Sequence, residues 1–226
     1  MSKKILFSLL IISVSLIFSG TLFLSKQKYE TEPQEETKEK QVNIRPFSSF
    51  DHILGNPNAE ILIIEYSDFG CVFCKEFHAT MNRILKDYGK TGQVAWVYRH
   101  FPIEELEPGS RTASIASECV AEILGESSFW DFSSKVFSGS PDSLSKENLE
   151  KIAISLGTPA KEYEECLKSE KIQKKIENDI ADGLLIYEKD PNFGTPYSII
   201  ISKNGYQTQI VGSQPYSVIK EIIENF

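Results

Sequence analysis

Hydrophobic and polar positions divide the chain into stretches of different character. Ile5 to Ser25 is an uncharged run rich in Ile, Leu and Phe, preceded by Lys3-Lys4. Its length matches the roughly 20 residues a membrane helix needs. Phe18-Ser19-Gly20 is a weak cleavage site, and no cysteine follows for lipid attachment. The expectation is an uncleaved N-terminal membrane anchor over residues 1–25, with secretion after signal cleavage as the alternative. Positive charge at the extreme N-terminus puts that end in the cytoplasm and the rest outside, in a periplasm or at the cell exterior. Lys26 and Lys28 weaken that bias without reversing it. From Lys26 to about Gln41 the chain is Lys/Glu/Gln/Thr-rich with Pro33, and residues 26–46 read as a flexible linker.

Beyond the linker, Arg45–Asn58 reads as a lead-in loop with room for a short strand. Glu60-Ile-Leu-Ile-Ile-Glu-Tyr66 has the β-branched, apolar character of a central buried strand. Phe73, Phe77, Met81, Ile84 and Leu85 then recur at helical spacing from Cys71 to about Tyr88, closed by Gly89 and Gly92. Gln93–Arg99 is a second strand, which completes a βαβ unit. Four amphipathic stretches follow: Arg111–Leu124, Ser127–Phe137, Ser145–Leu156 and Pro159–Tyr187. Ser110 and Thr158 are candidate N-caps, the latter with Pro159 at the first helical position. Strand signals return at Tyr197–Ser202 and Tyr206–Val211, joined through Asn204-Gly205, the strongest short hairpin signal. Pro215–Phe226 is a closing helix with Val218, Ile219 and Ile222 facing inward. The order is βαβ, a helical block, then ββα.

Composition narrows the function. The 226 residues are 41% hydrophobic, enough for a core, and the net charge is −8. A negative chain without a basic patch interleaved with aromatics excludes a nucleic-acid role. The four cysteines are Cys71, Cys74, Cys119 and Cys166.

The chemistry centres on Glu65-Tyr-Ser-Asp-Phe-Gly-Cys71-Val-Phe-Cys74. Positions i and i+3 share a helix face, close enough for a disulfide. A helix N-terminus supplies unpaired N–H groups and the positive end of a dipole, which favours a thiolate on Cys71. Such a dithiol is a redox site, half of a metal site or an inert structural disulfide; Cys-x-x-Cys after a strand favours redox. Glu65 lies in an otherwise apolar strand. If buried without an ion partner it holds its proton and can exchange it with Cys74; the plain alternative is a solvent-facing strand end.

Those residues, with Tyr98-Arg-His-Phe-Pro102, Gly194-Thr195-Pro196 and Gly212-Ser-Gln-Pro-Tyr216 in the same order, resemble the DsbA-like family of exported thiol:disulfide oxidoreductases. The resemblance covers about residues 47–226. It implies an α/β thioredoxin fold interrupted by an inserted all-helical domain at about 108–189. It further implies that Cys71 is the exposed nucleophile and Cys74 the buried resolving partner. Thr195-Pro196 matches a cis-proline loop that offers backbone groups to an extended substrate segment. The implied partners are exported proteins bearing thiols and a membrane quinone-linked or other redox recycling partner. No cofactor beyond the Cys71–Cys74 disulfide is called for. Val72-Phe73 departs from relatives carrying Pro or His between the cysteines, which puts the direction in question; the expectation is an oxidase that donates disulfides to exported proteins, with isomerase or reductase as the alternative.

Cys71, Cys74 and His78 also spell Cys-x2-Cys-x3-His, which makes a thioredoxin-like metal-delivery module the rival class. No second ligand cluster supports it, so no metal is expected, and His78 reads as a partly exposed helix residue. His100 reads as a strand-end hydrogen-bonding residue and Asp68 as a turn or cap residue. Cys119 and Cys166 lie on different helices; in an exported domain a structural disulfide between them is expected, against two buried thiols. Phe129, Trp130, Phe132 and Phe137 read as core of the helical block.

Overall fold

The structure, a computed structural model, describes residues 43–139 and 144–226. Apolar, β-branched runs form the centre of a five-stranded sheet in the order β1-β3-β2-β4-β5. The strands are β1 (His52–Leu54), β2 (Ile61–Ser67), β3 (Val94–His100), β4 (Tyr197–Ser202) and β5 (Gln207–Val211). β2 and β3 run parallel, joined by α1 (Val72–Ile84) and a π-helical turn (Leu85–Gly89). β4 lies antiparallel to β2 and β5 antiparallel to β4. Asn204-Gly205 makes the hairpin turn, with Gly205 at φ +85°, a region closed to most side chains. α7 (Tyr216–Glu224) closes the chain.

Between β3 and β4 the chain forms α2 (Ser110–Leu124), α3 (Glu126–Ser138), α4 (Lys146–Ser155), α5 (Ala160–Cys166) and α6 (Glu170–Tyr187). This is the thioredoxin fold with a helical insertion. The single helix expected over Pro159–Tyr187 is two helices. Ser169, in extended conformation, opens α6 as its N-cap, and no proline or glycine marks the break. The caps expected at Ser110 and Thr158 fall one residue away, at Gly109 and Pro159.

Period-two alternation puts two cores on the sheet. Ile61, Ile63, Trp96, Tyr98 and Ile200 face α1, α7 and the helical block, where Phe129, Trp130, Phe132 and Phe137 are buried. Ile64, Tyr66, Val97 and Ile199 face the other way, onto Ile186 of α6 and Phe193. The end of the expected linker is packed there too: Ile44 lies on this second core and the Arg45 backbone N–H donates to Asp182 at 2.7 Å.

The membrane-anchored, extracytoplasmic placement expected from the N-terminal run is corrected. Residues 1–25 and most of the linker lie outside the described residues. Among the described residues no helix is long and apolar enough to cross a membrane. The longest, α6, has 18 residues but interleaves Lys171, Lys174, Lys175, Glu177, Asp179 and Asp182 with its apolar positions.

Candidate active site

The apolar strand β2 ends at Ser67, and Asp68 turns the chain into α1. Its Oδ1 accepts the Gly70 N–H at 2.8 Å and its Oδ2 the Ile103 N–H at 2.7 Å, tying the turn to the loop after β3. Gly70 is required for close approach: a Cβ there would stand 2.5 Å from Glu107 Cβ and 2.6 Å from Ser110 Oγ. Cys71 is the N-cap of α1 and makes no side-chain cap bond, which leaves its sulfur beside the helix-opening N–H groups.

Both cysteines of the pair are thiols in the structure; Cys71 is partly exposed and Cys74 buried. Their environments act in opposite directions. Hydrogen bonding from the Cys74 thiol, then the Cys74 and Phe73 backbone N–H groups, holds Cys71 at about 6 against the opposition of partial burial. Burial pushes Cys74 well up, and the Cys71 hydrogen bond and the Glu65 charge add to the rise. Cys71 Sγ donates to the Thr195 carbonyl at 3.3 Å, and the Thr195–Pro196 bond is cis. Val72 and Phe73 are each more than half exposed, so an apolar surface flanks the reachable sulfur.

Glu65 is fully buried, not at a solvent-facing strand end. Its Oε2 accepts the Trp96 Nε1–H at 2.8 Å. With no ion partner, burial raises its pKa to about 7. The structure therefore brings Cys71, Cys74, Glu65, Thr195 and Pro196 to one end of the sheet. Cys119 and Cys166 are elsewhere, bonded to each other in the helical block with their Cα atoms 5.6 Å apart.

His78 is corrected from partly exposed to buried, packed on Trp96 and Phe137 with Nε2 3.1 Å from Ser134 Oγ. Burial lowers its pKa to about 4. Among the described residues the ligand-type cluster is His52, His100 and Glu118, which includes none of Cys71, Cys74 and His78. There Glu118 Oε1 already accepts from His52 Nε2, His100 Nε2 and the Lys175 ammonium, so the positive charge is supplied by side chains. His100 thus closes β3 as a buried partner of α2. Reading the chain missed this cluster, and missed Trp96 as the partner of Glu65. The first depends on how α2 packs against β1 and β3, the second on the register between β2 and β3.

The chain matches the family described as Thioredoxin over residues 48–224. It is 26% identical over 202 residues to a Rickettsia prowazekii sequence named as a protein-disulfide oxidoreductase, covering 82% of this chain and 68% of that one. It is 27% identical over 135 residues to a Na(+)/H(+) antiporter NhaA 1 of Mycolicibacterium gilvum, covering 59% of this chain. The chain spans about a fifth, 21%, of the length of that relative. Among solved structures, BdbD from Bacillus subtilis (oxidised) superposes with TM-score 0.65 at 27% identity, covering 82% of this chain and 97% of that one. Alpha-DsbA1 of Wolbachia pipientis does so with TM-score 0.65 at 26% identity, covering 80% and 92%. With the family match running from the lead-in loop to the last turn of α7, the chain belongs to the thioredoxin family, and its solved neighbours set it among the DsbA-like members.

Proposed function

We propose that this chain is a thiol:disulfide oxidoreductase that oxidises thiol-bearing protein clients through Cys71 and Cys74. A client thiolate attacks Cys71 Sγ and the electron pair of the broken S–S bond leaves on Cys74. A second client thiolate then attacks the client sulfur of the mixed disulfide and releases Cys71 as thiolate. Glu65, the buried carboxyl whose charge acts on Cys74, exchanges a proton with it. The Thr195 backbone beside Cys71 offers an extended client segment a hydrogen-bonding edge. Each turnover leaves a dithiol, so a separate redox partner, quinone-linked or disulfide-bearing, must take the electron pair.

The observation that carries this reading is the asymmetry of the pair: a reachable sulfur held at about 6 beside a buried one pushed well up. A low-pKa thiolate is a good leaving group, so Cys71 is readily expelled from the mixed disulfide as the client closes its own bond. Support also comes from the relatives named as disulfide oxidoreductases.

The test uses a reduced dithiol peptide as client. Cys71→Ser is expected to abolish its oxidation, and reduced Cys74→Ala, given the oxidised peptide instead, to accumulate a mixed disulfide as the Cys71 thiolate attacks the peptide disulfide and frees one peptide thiol. Full activity of Cys71→Ser would remove the nucleophile from this reading. The direction is read from the equilibrium with glutathione: an oxidase is expected at about −180 mV or higher, and a value near −270 mV would make it a reductant.

A further inference from the structure

The core below the sulfur pair holds more hydroxyl groups than an apolar interior calls for. Glu65 and Ser67 point to the same face of β2, two residues apart. Tyr98 on β3 and Ser198 on β4 are the register partners of Glu65 on its two sides. All four residues are buried at 1% exposure or less. Each has a side-chain oxygen without an aligned hydrogen-bond partner: Glu65 Oε1, Ser67 Oγ, Tyr98 OH and Ser198 Oγ. A buried polar group without a well-aligned hydrogen bond is costly, and Ser67 acts on Glu65, Tyr98 and Cys74 alike, so this patch of sheet calls for a reason beyond packing.

Their position supplies one. Cys74 Sγ accepts the Asp68 N–H at 3.4 Å, so the buried sulfur sits over the end of β2, next to Ser67. Glu65 has committed Oε2 to Trp96, which leaves Oε1 for other work. Ser67, two residues on from Glu65 on the same face of β2, acts by hydrogen bonding on both Glu65 and Cys74.

We propose that Ser67 is the relay through which the proton passes between the Glu65 carboxyl and Cys74 Sγ. This rests on the reading of Cys71 and Cys74 as the exchanging pair. When a client thiolate attacks Cys71 Sγ, the Cys71–Cys74 bond breaks and its electron pair goes to Cys74 Sγ. Ser67 Oγ–H gives its proton to that sulfur while taking the proton of Glu65 Oε1, leaving a Cys74 thiol and a Glu65 carboxylate. On recharging, the Cys71 thiolate attacks a disulfide of the recycling partner. The Cys74 proton then returns through Ser67 to Glu65, and the Cys74 thiolate closes on Cys71 Sγ as the reduced partner leaves. Burial raises both Glu65 and Cys74, and the Ser67 hydroxyl moderates both.

The experiment compares wild type, Ser67→Ala and Glu65→Gln, with Ser67→Thr and Ser67→Val as a pair of equal shape with and without the hydroxyl. Two rates are followed from pH 5 to 9: reduction of the oxidised protein by dithiothreitol, in which Cys74 must leave, and iodoacetamide alkylation of Cys71 in the reduced protein. Loss of the hydroxyl is expected to slow reduction about tenfold at pH 6 and to remove the inflection near pH 7. Ser67→Thr is expected to keep both, and Cys71 alkylation to be the same in the three Ser67 variants as in wild type. The relay is overturned if Ser67→Ala reduces at the wild-type rate with the inflection intact while Glu65→Gln does not. If Glu65→Gln also leaves rate and inflection unchanged, the role given to Glu65 falls with it. Should Ser67→Ala not fold, the Thr/Val comparison decides: equal profiles overturn the relay.

Discussion

The Cys71 thiol titrates near 9 in an unfolded chain and at about 6 in the folded one. Folding therefore gains from its ionised form. That gain is complete above pH 9, shrinks as pH falls, and is gone below 6. Once Cys71 is in a disulfide the gain does not exist. Glu65 has the opposite sign: its folded pKa, raised by burial from 4.5 to about 7, favours the folded state at low pH and costs it as pH rises through 7. Glu65 is present in both redox forms, so the burial part of its contribution cancels in the difference between them, and only the part set by the Cys71 charge remains beside the sulfur. The free energy of unfolding of the reduced protein, minus that of the oxidised protein, is expected to grow by about 1–2 kcal/mol from pH 5.5 to pH 8, the partly exposed thiol being screened by solvent. Urea unfolding of both forms at the two pH values measures it. A flat difference would mean that the helix opening does not hold the thiolate.

Helix α1 shows what local pattern reveals and what it leaves out. Its apolar positions and its position after an apolar strand were legible in sequence, and so was the place of Cys71 at its mouth. The inward turn of His78 was legible too, had polarity been set aside: Cys74, Phe77, His78 and Met81 form one i, i+3, i+4, i+7 stripe, and all four are buried. The break between α5 and α6 was not, because Cys166-Leu-Lys-Ser169 contains no breaking residue. There the constraint is tertiary, since Cys166 at the end of α5 is bonded to Cys119 in the middle of α2. That bond closes a loop across 47 residues. Replacing both cysteines with alanine is expected to cost about 3–4 kcal/mol through the freed unfolded chain, measured by urea unfolding. Alkylation of Cys71 should not change, because the bond joins α2 to α5 and not to α1. A cost below about 1 kcal/mol would show that the helical block holds its shape by packing alone.

The order of elements along the chain, a βαβ unit, a run of helices and a ββα unit, limited the sheets that could be built, and the family resemblance implied which one. What joins the insertion to the sheet was not legible. Arg99 sits two residues beyond Val97, so strand alternation turns it to the same buried face, where a charge is expensive. Its compensation comes from positions far off in the chain. Arg99 Nε donates to Asp51 Oδ1 at 2.9 Å and Nη1 to Asp182 Oδ2 at 2.7 Å, with side-chain exposures of 0% and 6% for those carboxylates. Burial lifts Asp51, and Arg99 and Arg45 more than reverse it. Arg45 in turn reaches Asp179 of α6 at 2.7 Å, and Tyr66 OH donates to Asp182. The lead-in loop, β2, β3 and α6 thus meet in one buried network, which keeps the insertion fixed against the sheet that carries Glu65 and Thr195. Arg99→Met leaves Asp51 and Asp182 without their principal cation and is expected to cost about 3–5 kcal/mol. Adding Asp182→Asn to that variant removes one stranded charge and should return part of the loss. Urea midpoints of wild type, single and double variants measure both effects. A single variant within 1 kcal/mol of wild type, or a double variant no better than the single, would show that α6 is held by its apolar contacts with Phe193 and the second core alone.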